Sequence, residues 1–225
     1  MPLQNRVDPF GDIHAVSARG LLSGNRGIIH DPATKTLLNK RWTTKAWIIC
    51  SCDYKGRRRE PMGRNERDGG AGWTELFFLD EVTALAAGHR PCFHCQRQRA
   101  REFANRFGEA FGISEPRAPQ IDAQLHRERL ASGGKMVELD RHGMAKLPDG
   151  SVIFDGKDDY AIRGGKALRW RFDGYDRVRN FDQFDTGEMC VVTPATAIAV
   201  LSQGFRPVWH PTAAALGLAT VGDAA

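Results

Sequence analysis

Ala86-Ala87-Gly88-His89-Arg90-Pro91-Cys92-Phe93-His94-Cys95 is the stretch on which the reading of this chain turns. Gly88 and Pro91 stop a helix, and two cysteines follow at C-x-x-C spacing. Two intervening residues let both sulfurs turn toward one ion while the backbone N–H groups between them point at the thiolates. Such a pair is half of a tetrahedral zinc site. Cys50 and Cys52 supply the other half. Four cysteines in two close pairs, behind an N-terminus with no basic-then-apolar leader, point to metal rather than disulfide. The competing readings are reduced, half-buried thiols and a redox pair. A redox C-x-x-C opens a helix after a strand inside a βαβ unit; this one follows a helix end.

Outward from the cysteines, Ala46–Cys50 reads as a buried strand that delivers Cys50 and Cys52, with alternation placing both side chains on one face. Trp73–Leu79 reads as another strand. Asp80 is an N-cap for a short helix over about 81–87. A second helix is expected from Cys95 to about Phe107, because Ala100, Phe103, Ala104, Phe107 and Phe111 share one face. Arg97 and Arg101 flank that face and form a candidate phosphate-binding edge, with a solvated rim as the plainer reading.

The run Phe77-Phe78-Leu79-Asp80-Glu81 through Ala84, Ala86-Ala87-Gly88, Arg90-Pro91-Cys92 and Cys95 resembles the second half of the Ada-type zinc-binding domain. In that family a short strand leads to a helix and then to A-G-x-R-P-C-x-x-C. The resemblance covers about residues 47–97. It implies a structural zinc held by four side chains close to DNA. In the repair protein that gives the family its name, one zinc thiolate also accepts a methyl group from a DNA phosphotriester. The first half of the motif departs: the family spaces its first two ligands by three residues, whereas here they are Cys50-Ser51-Cys52, and about forty residues then intervene before Cys92. That departure leaves the roles of Cys50 and Cys52 open. The chain as a whole also resembles a group of bacterial proteins.

Hydrophobic residues make up 41% of the 225, enough for a packed core, and the net charge is +5. Residues 1–120 hold 19 Lys+Arg against 13 Asp+Glu, and residues 121–225 hold 13 against 14. The excess of positive charge thus lies on the cysteine-bearing half, as nucleic-acid contact requires, although ordinary solubilising charge also fits. Tyr54–Gly72 is the most basic stretch, a glycine-rich insertion with Arg57, Arg58 and Arg59 whose guanidinium forks match phosphate oxygens. A plain surface loop is the alternative. No apolar run spans a membrane. Cytoplasm, where thiols stay reduced, is the expected compartment.

Gly20 to Gly27 reads as a glycine-spaced loop, with positive φ at Gly24 or Gly27 favoured over a phosphate cradle beside Arg26. Pro116 and Pro119 mark a hinge, which divides a basic zinc-binding region, 1–115, from a helix plus β-rich region, 121–225. Ile121–Ala131 is expected to be helical. It places Asp122 beside His126, the pairing of a general base, against the commoner reading of a surface i,i+4 pair. Beyond Lys135, short strands alternate with tight turns such as Pro148-Asp149-Gly150, then a helix runs over about 194–202, and the tail after Thr212 reads as loose. Cys190 reads as a small hydrophobe on a strand.

The expected fold class is α+β, a small zinc-supported subdomain followed by a small antiparallel β-rich domain. The expected cofactor is one structural Zn2+ on Cys50, Cys52, Cys92 and Cys95. The leading function is nucleic-acid binding, to DNA first, in repair or processing, through Arg57, Arg58, Arg59, Arg97 and Arg101. The alternatives are a hydrolase of nucleic acid or nucleotides that uses Asp122 and His126, and a zinc-stapled protein-interaction module.

Overall fold

The computed structural model describes residues 1–56, 59–184 and 189–217. The first half builds a mixed sheet from very short strands. These are β1 (Arg6–Val7), β2 (Ile13–His14), β3 (Leu22–Asn25), β6 (Ile48–Ser51), β7 (Leu76–Phe78) and β8 (Arg90–Pro91), in the order β2-β1-β7-β3-β6-β8. The β1–β7 and β6–β8 pairings are parallel and the others antiparallel. A separate ladder joins β4 (His30–Asp31) to β5 (Thr36–Leu37).

Helix α1 (Glu81–Ala86) lies between β7 and β8. The Asp80 carboxylate accepts from the Thr83 N–H at 2.9 Å, as its cap position predicts. Gly88 ends the turn at φ +76°, and a Cβ there would sit 2.6 Å from the Arg129 Cβ, so only glycine fits. Helix α2 (Arg97–Phe111) buries Ala100, Phe103, Ala104 and Phe107, while Phe111 stays exposed at its end. Helix α3 (Ala118–Glu128) begins earlier than the prolines suggest. Pro119 lies in its first turn, where a missing N–H costs nothing, so the expected hinge is a helix start.

The second sheet is entirely antiparallel. Past β9 (Val137–Glu138) and the single turn α4 (Arg141–Met144) come β10 (Val152–Phe154), β11 (Asp159–Arg163), β12 (Lys166–Arg171), β13 (Gly174–Arg179) and β14 (Cys190–Val191). Their order is β13-β12-β11-β10-β14-β9. Helix α5 (Ala195–Ser202) and the short α6 (Pro211–Ala215) follow; α6 packs on β13, so the segment just past Thr212 is docked rather than loose. The chain is thus α+β, with the expected separate antiparallel sheet. Among the described residues no helix is long and apolar enough to cross a membrane.

The boundary expected at 116–120 does not separate two cores. Phe103 and Phe107 of α2 pack with Ile121 and Leu125 of α3 and with Val200 and Leu201 of α5. Val82 and Ala86 of α1 pack against Val152, Leu168 and Trp170 of the second sheet. Polar contacts cross as well. The Trp170 Nε1–H donates to Thr83 Oγ1 at 2.9 Å, and Asp80 Oδ2 accepts from the Tyr175 hydroxyl at 2.9 Å and the His210 N–H at 3.0 Å. The neighbouring Glu81 accepts from Arg99 at 3.1 and 2.5 Å and from the Val208 N–H at 2.8 Å. Burial pushes both carboxyls up from their ordinary values, against these bonds.

The stretch read as a glycine loop at 20–27 is instead β3, at the middle of the first sheet. A Cβ on Gly24 would lie 2.2 Å from the Ile48 carbonyl oxygen, so close backbone approach is the reason for glycine there. Gly27 does take positive φ, +91°. Arg26 is fully buried, with Nη1 donating to the Gly11 carbonyl at 2.8 Å, and no phosphate can reach it. Its guanidinium stacks 3.8 Å over Trp47, and Arg129 stacks 4.1 Å over the same ring.

Candidate metal centre and its pocket

Three of the four expected cysteines meet. The ligand atoms of Cys50, Cys92 and Cys95 all lie within 4.8 Å of one another. Parallel pairing of β6 with β8 sets this up: Ile49 stands opposite Pro91, and the Cys92 N–H donates to the Ile49 carbonyl at 2.9 Å. Cys92 is thereby held beside Cys50. The chain then turns into α2, with the Gln96 N–H on the Cys92 carbonyl at 3.0 Å and the Gln96 side chain on the Ile49 carbonyl at 3.3 Å. Cys95 rides on that turn and completes the trio.

Backbone N–H groups face the sulfurs, as the two-residue spacing predicts. The His94 N–H donates to Cys92 Sγ at 3.4 Å, and the Ser51 N–H faces Cys95. Hydrogen bonds from the Cys50 and Cys95 thiols pull Cys92 down to about 2, while the same contact pushes Cys50 far up. The opposite directions describe one proton-sharing cluster, in which a single thiolate is stabilised at the cost of its neighbours. A divalent soft cation is what lets three thiolates coexist at this separation, and the donor set suits zinc. The trio can hold a metal ion.

Cys52 lies outside the trio. Strand β6 ends at Ser51, so alternation no longer fixes Cys52, and its exposed thiol donates to the Leu21 carbonyl at 3.4 Å. It nevertheless shares a pocket with the other three. This pocket, of about 420 Å³, is lined by all four cysteines together with His94, Tyr54, Trp73, Arg59 and Asn25.

Arg90 of the R-P-C run is also accounted for. It is buried, and its guanidinium grips both Asp122 carboxylate oxygens at 2.8 Å, a bidentate pair that ties the knuckle to α3. The structure therefore does not join Asp122 to His126. Both carboxylate oxygens already serve Arg90, and the His126 ring lies edge-on to Trp42 at 4.7 Å. Burial, with Arg129 and Lys45 nearby, holds the His126 pKa below its ordinary value. The general-base pair expected from the i,i+4 spacing is a structural ion pair and a separate histidine.

The expected basic residues divide. Arg97 and Arg101 are exposed in the first and second turns of α2, and neither has an ion-pair partner among the described residues. Their neighbours Arg99 and Arg106 are paired, with Glu81 and Glu109. Arg57 and Arg58 lie outside the described residues. Arg59 is no free loop cation: its Nε–H donates to Glu75 at 2.6 Å and its guanidinium stacks 3.7 Å over Trp73. The other Glu75 oxygen accepts from the Met62 N–H at 3.0 Å, so this acid pins the insertion to β7.

Sequence reasoning missed Asn25, Tyr54, Trp73 and His94. His94 was visible inside the C-x-x-C pair, but only the pocket shows that it faces the same space. Asn25 gave no signal, because its strand was read as a loop. The chain matches no protein-family model, no curated protein and no solved structure.

Proposed function

We propose that this protein is a cytoplasmic zinc protein that binds nucleic acid, DNA first, in repair or processing. The observation that carries the reading is the convergence of Cys50, Cys92 and Cys95 within 4.8 Å at the foot of a helix whose outer face presents Arg97 and Arg101. A metal there fixes the start of α2, and α2 offers two unpaired cations to a phosphate backbone. The likeness of the R-P-C-x-x-C run to the Ada-type domain supports the same placement of zinc beside DNA. Cys52, exposed and lining the same pocket, supports a fourth ligand that joins on metal binding.

Elemental analysis of the purified chain, paired with oligonucleotide binding across a salt series, tests the reading. One zinc per chain is expected, and affinity should fall with salt on a slope that counts phosphate contacts. A metal-free, folded chain would remove the zinc half. Zinc without salt-dependent binding would favour a zinc-stapled module with a protein partner.

A further inference from the structure

We infer that the pocket over the cysteine trio receives an unstacked nucleobase, so that the protein engages single-stranded nucleic acid in preference to duplex. The inference rests on the nucleic-acid reading above and names the part of the ligand that enters the site.

Three observations point to a flat, nitrogen-rich heteroaromatic ring. The pocket's size, about 420 Å³, falls within the range of small-ligand sites, roughly 300–1,000 Å³. Its wall carries the Trp73 indole, which keeps 37% of its surface exposed although Arg59 covers it at 3.7 Å. That stack is held in place by Glu75, itself saturated by Arg59 and the Met62 N–H, so the ring is a preorganised platform rather than a loose surface residue. Tyr54 stands edge-on to His94 at 5.1 Å on the same pocket. Base–aromatic stacking needs such a platform and tolerates any base.

The third observation is polar. Asn25, only 8% exposed, lines the pocket. Its Oδ1 accepts from the Gly27 N–H at 3.2 Å, while its Nδ2 donates to no described residue. This donor stands on the wall of an open pocket and can bond an acceptor seated there in place of water. The ring nitrogens and carbonyl oxygens of bases are such acceptors, and in a duplex many of them are already paired. A base presented by a single strand reaches the pocket without unpairing cost, while its flanking phosphates can extend toward Arg97 and Arg101.

The test uses the full zinc-loaded chain with a single-stranded DNA 12-mer, the matching duplex, and free thymidine and adenosine. Single-strand affinity is expected to exceed duplex affinity by roughly tenfold or more. Ligand should quench a fluorescence component that is missing in Trp73→Phe. Trp73→Ala should lower single-strand affinity by roughly tenfold while leaving the salt slope in place, since no phosphate contact is removed. Tyr54→Ala serves as the second variant if Trp73→Ala fails to fold. Equal single-strand and duplex affinities, with Trp73→Ala and Tyr54→Ala binding like the wild type, would overturn the pocket while leaving nucleic-acid binding standing. If neither oligonucleotide binds, the nucleic-acid reading falls. Quenching of Trp73 by a free nucleoside would then still support the pocket, and its absence would sink both.

Discussion

The two sheets are built on different logics. The second is made of neighbours: β10, β11, β12 and β13 pair in sequence order through tight turns, and Val152, Ala161 and Leu168 fill the face between them. The first is made of strangers: β3 pairs with β6 and β7, β1 with β7, and β6 with β8, across insertions that include the basic stretch. Buried around it are Arg26, His30, His89 and Arg90, with Asp122 of α3 on Arg90, polar groups that are costly to bury. The lesson is that the half with short, non-local strands is held by directed contacts at named atoms. That is where substitution should do most damage and where the cysteine trio lies.

The largest break expected is at the trio. Cys95→Ser should lose metal and destabilise the fold by several kcal/mol, about what a displaced structural ion contributes. Cys190→Ser, in the second sheet, should cost far less. Thermal melts with metal analysis check both, and equal melting temperatures would remove the assignment.

Next is the clamp. Asp122→Ala leaves Arg90 charged and buried, and breaking such a pair typically costs about 3–5 kcal/mol. If the clamp positions the knuckle, zinc affinity measured by competition with a chelator should fall too, whereas His126→Ala should leave it unchanged.

The comparison sharpens at Asp159 in the second sheet. Burial, with Asp8 and Asp158 nearby, pushes its carboxyl up from 3.8 to about 7. The folded chain then holds this proton more tightly than the unfolded one. The penalty for ionising it is therefore absent below about pH 4 and grows as pH rises toward 7. Asp159→Asn should raise the melting temperature at pH 8, by about 2–4 °C per kcal/mol recovered, and change little at pH 4. A polar group can thus be removed from this sheet with a gain, unlike Asp122 of α3, which pairs with Arg90 of the first sheet.

The smallest expected effect on stability is at α2. Arg97→Ala with Arg101→Ala should shift stability within about 0.5 kcal/mol per site, yet weaken nucleic-acid binding and flatten its salt slope. Unchanged affinity and slope would make this edge a solvated rim. Arg59 is a poor partner for that experiment, since its substitution also frees Glu75 and uncovers Trp73.

The same contrast explains what the sequence made legible. Asp80 and Gly88 bracket α1 because caps are local chemistry. The C-x-x-C pair announces its own spacing, and most of the second sheet follows from alternation and turns. What stayed hidden depends on distant partners. Gly24 looks like a loop residue until Ile48 lies against it. Asp122 looks like the neighbour of His126 until Arg90, far back in the chain, claims both its oxygens. Cys52 shares a face with Cys50 only while the strand lasts, and the strand stops one residue short. Strand β13 is hard to see in the sequence, since Asp173-Gly174-Tyr175 signals a bend more strongly than Arg177 and Arg179 signal a strand.

The carboxylates of Asp80 and Glu81 have a consequence for the order in which the chain matures. Both sit at the start of the helix that leads into the knuckle, yet their partners include Tyr175, Val208 and His210 near the other end. At roughly 5–20 residues per second of synthesis, those partners arrive several seconds after Cys95 has left the ribosome. Until then Asp80 keeps only its bonds from Thr83 and Glu81 only those from Arg99, and the start of α1 lacks the later partners that cover it. A chain cut before Arg206 is therefore expected to take up metal more weakly despite keeping every cysteine of the trio.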